Sequence, residues 1–195
     1  MALGSVGVFC GSSFGIDPVF ADAARLTGTT LGERGIDLVY GGGHAGLMGV
    51  VADAAMEAGG RVVGVIPRQL EDRELAHRGL TELHVVDSMH ERKQLMADLS
   101  DAFVALPGGA GTLEEVAEQW TWAQLTIHQK PSGFLDVGGF WTPMRDMLAT
   151  MVASGFVRQE QSGIVSFAES IEDLLAMLEA PSAWTDKWGQ PILPG

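Results

Sequence analysis

The sequence predicts an α/β fold, a doubly wound Rossmann-like parallel sheet of roughly six to seven strands with helices on both faces. Two patterns support this prediction. Short, β-branched apolar runs alternate along the chain with longer segments in which apolar residues recur at helical spacing. The apolar runs also contain few polar positions, which is typical of parallel strands covered by helices on both faces. The 195 residues fit one domain, placed at residues 1–180, with a C-terminal tail at 181–195.

The predicted strands are the apolar runs that end at turn residues. They cover residues 6–10, 36–40, 61–66, 82–86, 102–106, 133–137 and 163–167. The helical patterns lie between and after these strands, over residues 18–34, 47–58, 89–99, 113–127, 141–154 and 171–179. Residues 67–79 are more polar and indicate either a short helix or a lid. In a sheet of this class ligands bind at the carboxyl ends of the strands, so the loops that follow the strands are the places to look for function.

Helix caps support several of these boundaries. Asp17 followed by Pro18 predicts a helix N-terminus. Ser88 with Glu91, Thr112 with Glu115, and Ser170 with Asp173 have the spacing of a capping box, in which the first side chain accepts a backbone N–H and the second reaches back.

Charge and composition exclude several classes of function. The chain has 25 acidic and 12 basic residues and a formal net charge of −13, which argues against nonspecific nucleic-acid binding and against an anionic membrane surface. No apolar run approaches the roughly 18 residues of a membrane span, and no basic segment precedes the apolar N-terminus. These features predict a cytoplasmic protein. The single cysteine, Cys10, lies in an apolar run and is expected to be a buried thiol.

The loop at residues 41–46 formally contains the G-x-G-x-x-G pattern of dinucleotide-binding proteins. That reading is weak, because no acidic residue ends the next strand to bind a ribose. Neither glycine loop continues as Gly-Lys-Ser/Thr, so a nucleoside-triphosphate loop is also disfavoured. The glycines, including Gly42 and Gly43, either let the backbone approach a phosphate at a helix N-terminus or form a tight turn for packing. The sequence alone leaves these two interpretations open.

Residues 11–15 match G-x-S-x-G, but they follow the first predicted strand, whereas a hydrolase serine elbow belongs on a strand in the middle of a sheet. We therefore expect Ser12 to donate its hydroxyl to an anionic ligand or to the backbone.

Arg92 and Lys93 are unusual in the first turn of a helix, where the dipole disfavours cations. They are either solvated surface cations or are placed to meet an anion.

The motifs together closely resemble the LOG (Lonely Guy) family. The resemblance spans residues 5–180 and is carried by segments that occur in family order: 41–49, Ser88 to Lys93, Pro107 to Glu115, Trp122 to Leu125, and Lys130 with Pro131. Members are cytokinin riboside 5′-monophosphate phosphoribohydrolases, many of them long described as lysine decarboxylases. The resemblance implies hydrolysis of the N-glycosidic bond of an N6-modified adenosine 5′-monophosphate, which releases the free base and ribose 5-phosphate.

The resemblance also implies a set of functional residues. Arg92 and Glu115 are the expected catalytic pair. The expected substrate-binding residues are Ser12, Gly42, Gly43, Glu74, Met89, Arg92, Lys93, Gly108, Gly109, Ala110, Gly111, Thr112, Leu113, Glu114 and Thr121. No metal and no cofactor are expected, and the partners expected are a small nucleotide monophosphate and a second copy of the chain in a homodimer.

The chemistry of this pair can be argued from the residues themselves. Breaking an N-glycosidic bond builds positive charge on the ribose, so a fixed carboxylate such as that of Glu115 stabilises the transition state more than the ground state. Arg92 stays protonated and cannot be a conventional acid, so it acts either on the departing base or on the phosphate. The alternative function is a noncatalytic nucleotide-binding module on the same fold. A nicotinamide-dependent oxidoreductase is disfavoured by the missing acidic residue.

Overall fold

A computed structural model of the protein describes residues 2–71, 76–180, 184–185 and 191–192. Its main sheet has seven strands in the order β4-β3-β2-β1-β5-β6-β7, and every neighbouring pair is parallel. The strands are β1 (Ser5–Phe9), β2 (Asp37–Tyr40), β3 (Val62–Pro67), β4 (Glu82–Val86), β5 (Ala102–Ala105), β6 (Ser132–Leu135) and β7 (Val165–Ala168). The predicted fold class is therefore confirmed, and each predicted strand is present within two residues of its expected start.

The α-helices of the structure lie between and after the strands. They are α1 (Val19–Glu33), α2 (Gly46–Glu57), α3 (Arg68–Glu71), α4 (Met89–Asp98), α5 (Ala110–Gln124), α6 (Thr142–Ala153) and α7 (Ile171–Glu179). Short 3-10 helices cover Val137–Gly139 and Gln159–Ile164, and a small antiparallel pair joins β8 (Trp184–Thr185) to β9 (Pro191–Ile192). Among the described residues, no helix is both long and apolar enough to cross a membrane.

The sheet separates two hydrophobic cores. Residues of α1, α2 and α7 pack on one face, around Tyr40 and Leu38. Residues of α4, α5 and α6 pack on the other face, around Phe103 and Phe134. Both faces of the central strands are thus covered, which explains why their sequences are apolar at nearly every position.

The strand order fixes where a ligand can bind. The chain runs outward from β1 through β2 and β3 to β4, then returns to the other side of β1 with β5. The order of strands therefore reverses between β1 and β5. At such a switch point the loops after the two strands diverge to opposite faces and leave a crevice at the carboxyl edge of the sheet.

Two of the three predicted capping boxes are found. The Ser88 hydroxyl accepts the Glu91 N–H at 3.2 Å, and Glu91 reaches back to accept the Asp87 N–H at 3.0 Å. The Ser170 hydroxyl likewise accepts the Asp173 N–H at 3.1 Å.

The third predicted capping box, Thr112 with Glu115, is wrong. Helix α5 begins at Ala110 and its N-cap is Gly109, with no side-chain cap bond. The extended backbone of Gly109 lets the helix start earlier than the Thr-x-x-Glu spacing suggests, because glycine is itself tolerated at an N-cap. Thr112 is therefore the third residue of the helix, and Glu115 lies in its second turn, where capping does not determine its position.

Protonation of His128 is expected to make stability depend on pH. The Nδ1 atom of His128 accepts the Lys130 N–H at 3.2 Å, and Nε2 donates to the Gln119 Oε1 atom at 3.1 Å, so the neutral ring is satisfied. Burial, followed by the charge of Lys130, lowers the pKa of His128 from 6.5 to about 4. Between these values the unfolded chain binds an extra proton, so stability is lost as the pH falls from 6.5 towards 4.

We expect wild-type protein to lose about 2 kcal/mol of unfolding free energy from this group between pH 7 and pH 5. Urea unfolding at both pH values measures the loss. A His128→Gln variant should show a smaller difference by about that amount, since glutamine does not titrate. Equal pH dependence in the two proteins would contradict the assignment.

Candidate active site

The loops that follow β1, β2 and β5 meet at the switch point. The Gly11 N–H donates to the Pro107 carbonyl at 3.1 Å, and the Leu47 N–H donates to the Gly11 carbonyl at 3.0 Å. A Cβ atom on Gly46 would lie 2.4 Å from the Ser12 carbonyl carbon, so only glycine allows this approach. Ser12 is exposed at this junction. The structure therefore brings together both predicted glycine loops and the Ser12 segment.

Arg92 lies in the crevice, and its side chain is only 6% exposed. Its Nη2 atom donates to the Gly41 carbonyl at 3.2 Å, and a Cβ on Gly41 would lie 2.0 Å from the same nitrogen. The Nη1 atom lies 3.8 Å from the Met89 sulfur, and Nε has no hydrogen-bond partner in the described part of the chain. Arg92 is thus a buried cation with spare donors rather than a solvated surface residue, and such donors call for a partner.

Glu115 faces this guanidinium across the crevice. Its Oε1 atom lies 4.0 Å from Arg92 Nη2, and its side chain is 13% exposed. The distance is long for a hydrogen bond but within reach of ionic attraction. The two residues predicted as the catalytic pair are therefore adjacent, although they come from different helices.

Cys10 lies at the end of β1 and is buried, as predicted. Burial is the main cause that raises its pKa, the negative charge of Glu115 adds to the rise, and Arg92 opposes it. The thiol therefore stays protonated and is a poor nucleophile.

The N-terminus of α5 forms a backbone cradle beside this pair. Gly108 has a steric role, because a Cβ at that position would lie 2.1 Å from the Thr112 hydroxyl. Gly109 and Gly111 are different, since a Cβ on either would meet no described atom within 4 Å. Packing of the described residues does not demand glycine at these two positions. Bare backbone at a helix N-terminus is the arrangement that accommodates a phosphate.

Lys93 cross-links α4 to α5. Its Nζ atom donates to Glu114 at 2.6 Å and to Glu118 at 3.0 Å, and its side chain is 9% exposed. Burial alone would lower the pKa of Lys93, but the hydrogen bonds to the two carboxylates outweigh burial and raise the pKa overall. Lys93 is therefore charged. Because it follows Arg92 directly in the sequence, its two ion pairs with α5 also hold the turn of α4 that carries Arg92.

A Lys93→Met variant should lower the unfolding free energy by about 1 to 3 kcal/mol, because it leaves two neighbouring carboxylates without their cation. Chemical denaturation measures the loss. Adding Glu118→Gln to this variant should recover part of it, since the repulsion between carboxylates is then removed. A double variant that is less stable than Lys93→Met would contradict this account.

The remaining predicted residues fall into three groups. Met89 is exposed in the first turn of α4, beside Arg92. Ala110 and Leu113 are exposed in the first turn of α5, at the cradle, and Gly42 and Gly43 lie in the loop that supports Arg92. Thr121 lies apart: its hydroxyl donates to Ala117 of its own helix at 2.8 Å, and it is roughly 14 Å along the helix axis from Thr112. Glu74 lies outside the described residues.

Sequence reasoning missed two contributors. Gly41 supplies the carbonyl on which Arg92 rests, a contact between residues 51 positions apart that no local pattern reveals. Glu118, like Glu114, accepts a hydrogen bond from Lys93. The sequence could have indicated this contact, because two acidic residues four apart lie on the same face of a helix.

A histidine–aspartate cluster lies on the other side of the glycine loop. His44, Asp53 and His77 each have a potential metal-ligand atom, and these atoms lie within 4.8 Å of one another. However, the His77 Nδ1 atom accepts the Gly79 N–H at 3.2 Å, so the ring proton is on Nε2. Nε2 donates this proton to the Asp53 carboxylate at 2.8 Å. A metal ion would have to displace this proton, so the local hydrogen bonds favour a histidine–carboxylate pair.

A separate cavity of about 560 Å³ lies between α1 and the loop after β6. It is lined by apolar residues and by three carboxylates, Asp22, Asp136 and Glu169. Its lining includes neither Arg92 nor the glycine cradle, so the candidate site remains the crevice at the switch point.

The fold and the site define an α/β protein of the doubly wound class, with an arginine–glutamate pair and a glycine cradle at the switch point. The chain belongs to the LOG family of cytokinin riboside 5′-monophosphate phosphoribohydrolases. The cytokinin riboside 5′-monophosphate phosphoribohydrolase LOG of Oryza sativa subsp. japonica is 48% identical over 172 residues, which cover 88% of this chain and 71% of that protein. LOG1 of Arabidopsis thaliana, with the same activity in its name, is 47% identical over 88% of this chain and 81% of that protein.

A family model described as "Possible lysine decarboxylase" also matches residues 48–178. Among solved structures, the molybdenum cofactor binding protein of Rippkaea orientalis is similar, with a TM-score of 0.69, 22% identity, and coverage of 92% of this chain and 97% of that chain. The molybdenum cofactor carrier protein of Chlamydomonas reinhardtii has a TM-score of 0.65 and 22% identity over 88% of this chain and 93% of that chain. At these identities the two structures bear on the fold alone.

Proposed function

We propose that this protein hydrolyses the N-glycosidic bond of N6-modified adenosine 5′-monophosphates and releases the free base and ribose 5-phosphate. The observation that carries the proposal is the buried Arg92 guanidinium 4.0 Å from the Glu115 carboxylate, beside the open glycine cradle of α5. The curated relatives are named for the same activity on cytokinin riboside 5′-monophosphates.

The arrangement suits the charges of this reaction. The substrate phosphate binds at the α5 N-terminus, where the backbone N–H groups and the helix dipole favour an anion. As the bond between the ribose C1′ and the base nitrogen breaks, the electron pair leaves with the base and positive charge develops on the ribose. The Glu115 carboxylate stabilises that charge. Water adds its hydroxyl group to C1′, and the remaining proton of that water goes to the nitrogen of the released base.

Arg92 has two possible roles in this scheme. Its spare donors can stabilise negative charge on the departing base or hold the phosphate. The decarboxylase description has little chemical support among the described lysines, because Lys93 is paired with two carboxylates and Lys130 donates to the Ala97 carbonyl at 2.6 Å. The charged Lys93 is not prepared for a Schiff base, and Lys130, although burial lowers its pKa, is held on a backbone carbonyl.

The proposal is tested by incubating the protein with adenosine monophosphate and with its isopentenyl-modified analogue. Chromatography should show free base, together with ribose 5-phosphate, and faster release from the modified nucleotide. The matching nucleosides, which lack phosphate, serve as controls and should be poor substrates. Binding of the nucleotides without release would instead support the alternative, a noncatalytic nucleotide-binding module.

We also propose that the protein is a homodimer, acts in the cytoplasm, and binds neither nucleic acid nor membranes. Exposed apolar residues on and just after α5 support the dimer: Leu113 is 41% exposed and Ile127 is 60% exposed. Light scattering at micromolar concentration should give twice the mass of the chain, and a monomer would contradict the proposal.

A further inference from the structure

His77 joins the glycine loop after β2 to helix α2 and is itself buried, at 8% exposure. Its backbone N–H donates to the Gly42 carbonyl at 2.9 Å, and the preceding residue, Ala76, forms an antiparallel bridge with Gly43. The backbone of residues 76–77 therefore supports the loop directly.

The His77 side chain is held at both ring nitrogens. Nε2 donates to the Asp53 carboxylate on α2 at 2.8 Å, and Nδ1 accepts the Gly79 N–H at 3.2 Å. The His44 ring, from the same glycine loop, packs edge-on against it with centroids 4.6 Å apart. Because α2 packs closely on α1 and the sheet, the Asp53–His77 pair fixes the glycine loop to a rigid part of the molecule.

The same loop supports Arg92. The Gly41 carbonyl, next to Gly42, accepts from Arg92 Nη2 at 3.2 Å, which is already near the long end of a hydrogen bond. A small outward movement of the loop would break this contact and release the guanidinium from its place opposite Glu115. Three hydrogen bonds therefore connect Asp53 to Arg92. The first joins Asp53 to the His77 ring, the second joins the His77 N–H to the Gly42 carbonyl, and the third joins the neighbouring Gly41 carbonyl to Arg92.

We infer that His77, oriented by Asp53, is a positioning residue that holds the Gly41 carbonyl under Arg92. The inference rests on the proposed function, since it assigns His77 an effect on the hydrolysis carried out by Arg92 and Glu115. It acts through the backbone and contacts no reacting atom.

A double-mutant cycle tests this role. His77→Leu should lower kcat/KM about 10- to 100-fold, because a misplacement of about 1 Å at a reacting group has effects of that size. In an Arg92→Lys background the same change should lower it less than about 3-fold, since the contact it protects is already lost. A general loss of stability would act equally in both backgrounds, and that result would overturn the inference.

Conservative and control variants sharpen the test. Asp53→Asn keeps an acceptor for the His77 N–H and should stay within about 3-fold of wild type, whereas Asp53→Leu should resemble His77→Leu. His84→Leu removes another histidine–carboxylate contact, to Glu82 on the edge strand β4, and should leave activity unchanged. A loss in Asp53→Asn as large as that in Asp53→Leu would count against a hydrogen-bonded positioning role.

A readout that does not need activity separates this inference from the proposed function. Hydrogen exchange of residues 41–46 should be faster in His77→Leu than in wild type and unchanged in His84→Leu. If wild-type protein releases no base, the proposed function fails. Unaltered exchange in His77→Leu would separately show that His77 does not hold the loop, and this would overturn the inference.

Added Zn²⁺ should leave the activity unchanged. Zn²⁺-dependent activity that disappears in both His44→Ala and His77→Leu would reassign the cluster to a metal site and overturn the inference.

Discussion

Glu115→Gln should fold normally and lose nearly all hydrolysis, with kcat lower by about 10²- to 10³-fold. Glutamine has the shape of glutamate but no charge, so it cannot stabilise the positive ribose of the transition state, and removing one such electrostatic contribution commonly costs about 10²- to 10³-fold. Because Glu115 lies in the second turn of α5 and does not cap the helix, the substitution removes no capping bond. The unfolding temperature should fall by no more than about 3 °C.

Two measurements accompany the rate. The variant should still bind nucleotide monophosphate, because the glycine cradle and Arg92 are unchanged, and isothermal titration would show this. Glu57→Gln, an exposed glutamate at the last position of α2, is the matched control and should have wild-type kinetics. A fully active Glu115→Gln enzyme would exclude a catalytic role for this carboxylate.

The sequence predicted the fold well because the information needed was local. Apolar runs, helical spacing and caps at Ser88 and Ser170 each depend on neighbouring residues, and the structure has all of these elements. The prediction of a cap at Thr112 was wrong for a local reason as well. Gly109 is extended and serves as the N-cap, so the helix begins at Ala110, before the threonine. The Thr-x-x-Glu spacing alone therefore does not show which residue begins the helix.

The site was predicted only in part. Family motifs predicted Arg92 and Glu115 as the catalytic pair, and this role stays a prediction. Their proximity is explained by the packing of α4 and α5 on the same face of the sheet. What the sequence could not show is the burial of Arg92 and Lys93. Burial depends on contacts with Gly41 and with Glu118, which are distant in the chain, and a first-turn cation is equally compatible with a solvated surface until the strand order is known.

Arg92→Lys should lower kcat/KM for the modified nucleotide about 100-fold while leaving the fold intact. The lysine ammonium lies one bond short of the arginine terminal nitrogens, so it does not reach the Gly41 carbonyl, and it lacks the planar fork that offers further donors to a ligand. Arg25→Lys, an exposed position on α1, is the matched control and should behave as wild type. Wild-type kinetics in Arg92→Lys would remove the guanidinium from the mechanism.

The same variant distinguishes the two roles left open for Arg92. If the guanidinium holds the phosphate, KM should rise and the preference for nucleotide over nucleoside should shrink, because the lost interaction exists only with the phosphorylated substrate. If it stabilises the departing base, kcat should fall for nucleotide and nucleoside alike, and KM should change little. Steady-state kinetics on the paired substrates therefore assigns the role. The position of Arg92, 4.0 Å from the Glu115 carboxylate that we propose stabilises the ribose, favours the second result.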